Sequence, residues 1–333
     1  MLLLEREALL ATHSSARNAQ IWLPVEEGST AELARQSAAG FTALLGDEAR
    51  WLRRDGALIV TEPPAVNAFR EGARAGGVEA TDADRTVLAR LAPELTPGDR
   101  PALWIAGAGV FEPSVMMDAL ARSARDRGAV LRTGAGVAAV RVEAGRVAGV
   151  VLDDGSALDA DEVVLAAGAW AGALGAAVGA PTTLVPLRRH LVMLDAPRPS
   201  KAIVWCFLEG DGQVYWRPES GGILASPCEE VPVAPSLPAA DPAALESLAR
   251  RLGPVAPSLV DAPVRTSWAC LRTYTADREL VLGPDPRVPG LSWLAGLGGR
   301  GMTIGLAAGE RLARALREGD PVEGMRPDRQ EPT

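Results

Sequence analysis

The stretch from Glu112 to Trp170 limits the possible folds more than any other. It reads EPSVMMDALARSARDRGAVLRTGAGVAAVRVEAGRVAGVVLDDGSALDADEVVLAAGAW, in the order helix, strand, hairpin, strand. Pro113-Ser114 suits a helix start, Met117, Leu120 and Ala124 supply one apolar face, and Gly128 suits the stop. Apolar and polar residues then alternate about turns at Ala144-Gly145 and Asp154-Gly155. The run EVVLAAGAW is almost continuously apolar, the pattern of a strand buried on both faces of a parallel sheet. An α/β architecture follows.

The rest of the chain extends this pattern. MLLLE at the start reads as the end of a buried strand running into an acid, and in a nucleotide-binding fold such an acid grips a ribose. Thr30 to Leu45 has helical spacing, with Ala31, Ala34, Ala38, Phe41 and Leu45 on or near one face. WLRRDGALIV reads as an extended, hairpin-like segment turning at Asp55-Gly56. Residues 80–104 hold loops and short elements around Pro93, Pro97 and Pro101. From Pro186 the chain turns to strands rich in Trp, Tyr and Arg, followed by a Pro/Ala-rich helical hairpin candidate at 232–260. GLSWLAGLGGRGMTIGLAAGERLARAL closes it as strand, glycine turn and amphipathic helix, and residues 319–333 read as a frayed polar tail.

Composition excludes several classes. The 333 residues, 47% hydrophobic, suffice for one large or two ordinary domains. The net charge of -8 is spread without a basic block, which argues against nucleic acid as a partner. Cys206, Cys228 and Cys270 are far apart, and His13 and His190 are the two histidines, so neither a metal site nor a disulfide framework is expected. Met1 to Leu4 is too short for a signal-peptide core, which makes a cytoplasmic location the default. Val163 to Leu187 is uncharged and long enough to span a bilayer, but it is rich in Ala and Gly and broken by Pro181 and Pro186. It reads as strand, glycine turn and packed helix, not as an integral membrane segment.

Chemistry concentrates in four places. In GLGGRGMTIG, Gly296, Gly298, Gly299 and Gly301 allow close backbone approach just before a helix whose N-terminus favours negative charge. A reduced flavin edge, a phosphate and a plain strand-to-helix turn all satisfy that pattern. Arg188, Arg189, Arg272 and Arg300 supply guanidiniums that would recognise a carboxylate if they converge, although most arginines are solvated surface charges. Tyr215, beside Trp216 and Arg217, is either a substrate hydrogen-bonding group or a half-buried structural tyrosine. HSSARNA, after the opening strand, offers hydroxyls, an amide and an arginine to a pyrophosphate, or an ordinary helix cap.

Six pieces in one order, LLLEREA with HSSARNA, VVLAAGAWAGAL, PLRRH, VYWRPESGGILASP, WACLRTYTADRELVLGPD and GLGGRGMTIGLAAGE, resemble the FAD-dependent D-amino-acid oxidase/dehydrogenase superfamily. The resemblance is to its DadA-like, D-arginine-dehydrogenase-like branch and runs through nearly the whole chain. It implies an FAD-binding Rossmann-like domain of the glutathione-reductase type, N-terminally truncated, from residues 1–50, 112–185 and 270–320. An α+β substrate domain on a mostly antiparallel sheet, from 51–111 and 186–269, interleaves with it, and 321–333 forms the tail. Glu5 would hold the adenosine ribose. Arg6, His13, Ser14, Ser15, Arg17 and Asn18 would line the pyrophosphate and flavin, Val137 the adenine side, and Ala167 and Gly168 the cofactor's border. Gly298, Gly299, Gly301, Met302 and Thr303 would face the flavin pyrimidine edge. Arg189 and Arg272 match positions that bind the substrate carboxylate, Tyr215 matches an active-site tyrosine, and Arg300 joins them from the glycine turn. The implied reaction is hydride transfer from the substrate α-carbon to the flavin, giving an imino acid that hydrolyses to a 2-oxo acid, with oxygen or a quinone as the final acceptor.

The chain departs from that branch in ways that set further expectations. Gly56, with Asp55 displaced by one residue, stands where an acid meets a cationic substrate side chain, so a neutral or apolar side chain is expected. Ala16 replaces a glycine, and Ile21 replaces a polar active-site residue. The family's strand and G-x-G-x-x-G turn ahead of Glu5 are not in the sequence, which suggests a start placed too late or a truncated remnant that does not hold FAD. A sarcosine-type or 2-hydroxy-acid oxidase is the alternative within enzymes.

Overall fold

The computed structural model describes residues 1–25, 28–196, 199–210, 212–319, 322 and 324–330. Its largest element is a nine-stranded mixed sheet built around the 11-residue strand Leu184–Leu194. That strand pairs antiparallel with Val264–Thr275 on one side and with Gly222–Ser226 on the other. The sheet continues through Gly212–Glu219 and Ile203–Leu208 to Ala57–Val60 and Ala102–Ile105. Only the step from Ile203–Leu208 to Ala57–Val60 is parallel among those pairings, so the expected mostly antiparallel substrate sheet is present.

Alternation along these strands gives the sheet two different faces. One carries Leu58, Val60, Val192, Leu194, Val204, Cys206, Val214 and Trp216 and is covered by helices Arg85–Leu91 and Ala243–Leu252 through Leu88, Leu248 and Leu252. The other carries Leu191, Met193, Tyr215 and Leu224, with Trp205 and Trp268 alongside, and holds the polar groups described below.

The second unit is assembled from the two ends and the middle of the chain. Leu2–Leu4 pairs in parallel with Val130–Arg132, and Val163–Leu165 pairs in parallel with Leu291–Ala295, which also takes Val281–Pro284. Strands Val137–Glu143, Arg146–Leu152 and Ala157–Asp159 form the expected meander, with Ala144 and Gly145 both at positive φ as a tight hairpin turn requires. Helices Gly28–Leu45, Pro113–Asp126 and Gly301–Glu318 bury Phe41, Met116, Ile304 and Leu312 in one core with Trp51 and Leu282. Gly40 allows the first and last of these helices to approach, since a Cβ there would lie 2.7 Å from Leu306.

Several expectations change. WLRRDGALIV is not a hairpin: Leu52–Arg53 pairs with Gly109–Phe111, whereas Ala57–Val60 enters the large sheet. Gly56, at φ +73, makes this crossing, and its N–H donates to the Ala108 carbonyl at 2.9 Å. The run at 163–165 is half buried, with Val164 42% exposed, because the strand is only three residues long and is paired on one side. It does lead into a glycine turn, Gly168 at φ +53, and the helix Ala171–Ala176. No described helix is long and apolar enough to cross a membrane. The 232–260 region forms one helix, Ala243–Leu252, followed by a short 3-10 turn, Pro257–Leu259. The strand Val264–Thr275 runs unbroken through the domain boundary expected at 269/270.

The tail is docked, not frayed. Val322 and Met325 are buried against the helix core, and the Leu282 N–H donates to the Met325 carbonyl at 2.8 Å. Arg329 clamps Asp277 at 2.8 Å and donates to the Glu279 carbonyl at 2.8 Å. Residues 320–321, 323 and 331–333 of the expected tail lie outside the described residues.

Two outcomes follow from this docking. Met325→Ala is expected to cost about 2–4 kcal/mol by urea unfolding, as a buried large-to-small change does, whereas in a frayed tail it would cost nothing. Asp277 is partly buried, but its bonds to Arg329, Thr275 and Glu279 outweigh that and hold its carboxyl below the usual range. Because the folded value is depressed, its contribution is full above the unfolded value near ~4 and fades as pH falls toward the folded one. Acid unfolding followed by tryptophan fluorescence should therefore begin at higher pH in Arg329→Met than in the wild type.

Candidate active site

The site is built on the ladder between Leu184–Leu194 and Val264–Thr275. Its register places Arg189 opposite Cys270, Leu187 opposite Arg272 and Leu191 opposite Trp268, so these six side chains share one face. Tyr215, opposite both Trp205 and Ser226, brings its ring to the same face from the neighbouring strands. The convergence expected of Arg189, Arg272 and Tyr215 is thus present, while Arg188 lies on the far face, bonded to Asp241 at 2.6 Å.

Burial makes these groups unusual. Arg189 is 4% exposed and Tyr215 1%. Arg189 donates through Nη2 to Glu230 at 3.3 Å, while its Nη1 and the Tyr215 Oη are buried with no hydrogen-bond partner among the described residues. Burial pushes the Tyr215 phenol up from its ordinary value, against the opposing pull of Arg272 and Arg189, so it stays protonated at neutral pH. Glu230 is bridged to Arg278, which holds its carboxyl below the usual range, and Arg278 lies over the Tyr274 ring at 4.6 Å.

The outer edge of Val264–Thr275 gathers three distant segments. Its carbonyls at Ala269, Leu271 and Thr273 accept in turn from Arg17 Nε at 3.3 Å, Ser14 Oγ at 2.6 Å and the Gly298 N–H at 2.9 Å. Trp268 Nε1 returns a bond to the Arg17 carbonyl at 3.0 Å. Residues 13–18 form turns, not a capped helix, and Asn18 closes them by donating to the Ser14 and Ser15 carbonyls and accepting from the Gln20 N–H.

In the glycine turn, a Cβ at Gly298, φ +57, would lie 2.2 Å from the Tyr274 ring, and one at Gly299 would lie 2.8 Å from Arg272 Nη1. Both positions therefore exclude larger residues, one for conformation and crowding and the other because Arg272 fills the space. Gly301 begins the helix, with Met302 and Thr303 in its first turn and no side-chain cap from Arg300. That leaves the helix N-terminus open to an outside acceptor. Thr303 Oγ donates to the Arg300 carbonyl at 2.9 Å. Arg300 reaches the Arg278 carbonyl at 3.4 Å, on the side of the turn at 276–279.

A second group lies nearer the N-terminus. Glu5 ties its strand to Arg132 and Ala135 through its backbone and accepts from the Glu7 N–H at 2.9 Å. Arg6 and His13 both pack on Trp170, each 4.9 Å from its ring, and His13 contacts Glu7 at 2.9 Å. Ala167 and Gly168 lead into Trp170, and Val137 packs near Leu4.

The structure also shows residues that sequence reasoning missed. Arg217, 1% exposed, donates to the Ala19 carbonyl at 2.6 Å and to Gln20 Oε1 at 2.8 Å and pairs with Glu219, fixing the chain where Gln20 takes φ +60. Glu230 and Cys270 are likewise found only through pairing. Asp55 is neutralised by Arg53 at 2.7 Å, and a Cβ at Gly56 would lie 1.9 Å from the Trp104 ring on the helix-covered side. The strand thus offers Ala57 and Ile59, not an acid, to the face that holds Tyr215, and Ile21 packs beside Trp205. An open cleft of about 820 Å³ lined by Arg53, Arg90, Ser200 and Lys201 shares no residue with this face.

The family model for FAD dependent oxidoreductases, DAO, matches residues 1–315. The chain belongs to that family. Its cofactor is FAD. Among curated relatives, glycine oxidase of Pseudomonas putida is 30% identical over 69% of this chain and 62% of its own length. D-amino acid dehydrogenase of Cereibacter sphaeroides is 31% identical over 77% of this chain and 57% of its own length. The chain thus spans less than two thirds of these relatives. The fold of L-proline dehydrogenase from P. horikoshii superposes with TM-score 0.82 at 20% identity, covering 98% of this chain and 90% of that one. Glycine oxidase from Geobacillus kaustophilus superposes with TM-score 0.79 at 23% identity, covering 99% and 92%.

The glycine turn of this DAO-family chain suits its cofactor: an 18-residue helix with no side-chain cap begins beside the Arg272 guanidinium, an arrangement that favours an acceptor-rich, charge-accepting ring edge. Because Arg272 occupies the space beside Gly299, Gly299→Ala should displace that guanidinium. Affinity for a simple carboxylate such as propionate, read by calorimetry, should fall roughly tenfold, about 1.4 kcal/mol, with little change in melting temperature.

Proposed function

We propose that this chain oxidises the CH–NH bond of a D-amino acid whose side chain is neutral or apolar, yielding an imino acid that water hydrolyses to a 2-oxo acid and ammonia. The observation that carries this reading is the pair of guanidiniums, Arg189 and Arg272, flanking a buried neutral tyrosine on one sheet face. Glu5, Arg6, His13, Ser14, Ser15, Arg17, Asn18, Val137, Ala167 and Gly168 would hold the nucleotide and pyrophosphate. Gly298, Gly299, Gly301, Met302 and Thr303 would take the pyrimidine edge. When bound, FAD supplies the acceptor for the α-hydrogen and its electron pair.

The chain's own groups bind and orient. Arg189 and Arg272 take the carboxylate in a charge-assisted, bidentate manner, and Arg189 Nη1 is already free for it. Tyr215 donates its phenolic proton to the same end. Leu191, Met193, Trp205 and Ile21 form an apolar wall that excludes water and leaves a cationic side chain without a partner. The carboxylate described beside Arg189, Glu230, is engaged by two arginines and is poorly placed as a base. The substrate amine must therefore lose its proton to solvent before oxidation. The rate should rise with pH through the ionisation of the bound amine.

Three measurements test the reading. Protein purified with FAD is desalted, its flavin absorbance recorded, and oxidation followed by oxygen uptake and by dye reduction. D-alanine and D-leucine are expected to exceed D-arginine, glycine, sarcosine, L-proline and 2-hydroxy acids in kcat/KM; a preference for D-arginine would overturn the assignment. Arg272→Met should lower kcat/KM roughly 30- to 1,000-fold, about 2–4 kcal/mol, the usual cost of removing one partner of a hydrogen-bonded charge pair.

A further inference from the structure

We infer that Cys270 is the target of carboxylate-bearing electrophiles, the α-halocarboxylates, which Arg189 and Arg272 would present to its sulfur. This rests on the reading of those arginines as a carboxylate site. Cys270 lies directly opposite Arg189 in the ladder, and Arg272 lies two residues further along the same strand on the same face. Directly opposed side chains in an antiparallel pair have Cβ atoms about 4.5–5.5 Å apart, and i, i+2 neighbours share a face. The thiol therefore neighbours both arginines, one across the ladder and one along its own strand. It is a free cysteine, 5% exposed. Nothing in the proposed oxidation uses it.

A second observation points to a ligand at this position. The Arg189 side chain is 5% exposed, and its Nη1 has no partner among the described residues; the Tyr215 Oη on the same face is likewise unpartnered. An anion bound there meets donors that are already desolvated. Burial outweighs the pull of Arg272 and Arg189 and pushes the thiol up from its ordinary value, so reaction there depends on how the reagent is held. A neutral reagent gains nothing from the guanidiniums, but an anionic one is held with its α-carbon beside the sulfur, and proximity then raises the effective concentration.

The step balances without a further reactant. The sulfur attacks the α-carbon of iodoacetate, the S–C bond forms as the C–I bond breaks, iodide leaves, and the thiol proton passes to solvent. The carboxymethyl group so formed keeps its carboxylate at Arg189 and Arg272. The other two thiols differ in place. Cys206 is on the helix-covered face of the sheet and fully buried. Cys228, although close to the same arginines, packs among Leu191, Met193 and Leu224.

The test treats the FAD-loaded protein with iodoacetate or iodoacetamide, reagents that differ in the carboxylate, and maps the label by peptide mass spectrometry. Rates are divided by those for N-acetylcysteine. Cys270 should favour the acid at least tenfold on that scale, propionate should slow the labelling, and Arg272→Lys should reduce the preference. The preference should survive in Cys228→Ser and the label should vanish in Cys270→Ser. A ratio at or below that of the free thiol, or label found on Cys228 instead, overturns the inference. Substrate oxidation is measured separately. If the acid preference holds and no amino acid is oxidised, the proposed reaction fails and the docking site stands. If amino acids are oxidised and the preference is absent, the Cys270 inference alone fails.

Discussion

Everything in the candidate site depends on the register of one antiparallel ladder, Leu184–Leu194 against Val264–Thr275. A slip of one residue would turn every side chain on the slipped strand to the other face. Arg189 would then enter the apolar core under the helices, and Arg188 and His190 would face Tyr215. Backbone hydrogen bonds do not prevent this, since a slipped ladder makes almost as many. The pinning comes from the far face, where Arg188 pairs with Asp241 at 2.6 Å and His190 is 1% exposed. His190 Nε2 accepts from the Asp241 N–H at 2.8 Å, which fixes the proton on Nδ1, where it donates to Glu229. Glu229 also accepts from the His190 backbone N–H at 2.7 Å. His190 is the buried member of this set, and a slip would strip its ring of both partners, at about 1–3 kcal/mol for a buried polar group left unsatisfied against about 1 kcal/mol for a typical hydrogen bond. The site is thus aimed by residues that never touch it.

The same arrangement explains what could be read from the sequence. Periodicity assigns a residue to a face, so the strands, the meander about Ala144-Gly145, and the helices at 113–126 and 301–318 were legible. The six family pieces then singled out Arg189, Arg272 and Tyr215. Periodicity does not name the partner across the face. Glu230 lies 41 residues from Arg189, and Arg217 lies 198 from the Ala19 carbonyl it holds, so no local pattern connects them. Gly56 shows the same limit: a positive φ after Asp55 suits a hairpin and a crossing between sheets equally, and only Trp104 and the Ala108 carbonyl decide. In the tail, Val322 and Met325 are two apolar residues in a polar run, and their burial depends on the space beside Leu282.

Charge balance shows why this face suits an anion. A buried guanidinium must be paired, and Arg189 has one acid, Glu230, at 3.3 Å, which it shares with Arg278. That leaves Nη1 unsatisfied inside the protein, a penalty of about 1–3 kcal/mol or more for a charged donor. A carboxylate ligand would remove this penalty as it binds, and surroundings of Leu191, Met193 and Leu224 would strengthen the attraction by keeping water away.

Tyr215 completes the argument because its protonation state is set by the same surroundings. A phenolate would be drawn to Arg189 and Arg272 and would block the anion, but burial opposes its charge and wins. The ring also packs against Trp205 at 4.8 Å, so it cannot readily turn away to find another acceptor. The phenol is left as a third donor beside two guanidiniums. The open Nη1 of Arg189, the Arg272 guanidinium and this phenol together would suit a compact anion with at least two oxygens, whose uncharged remainder would lie against the apolar wall.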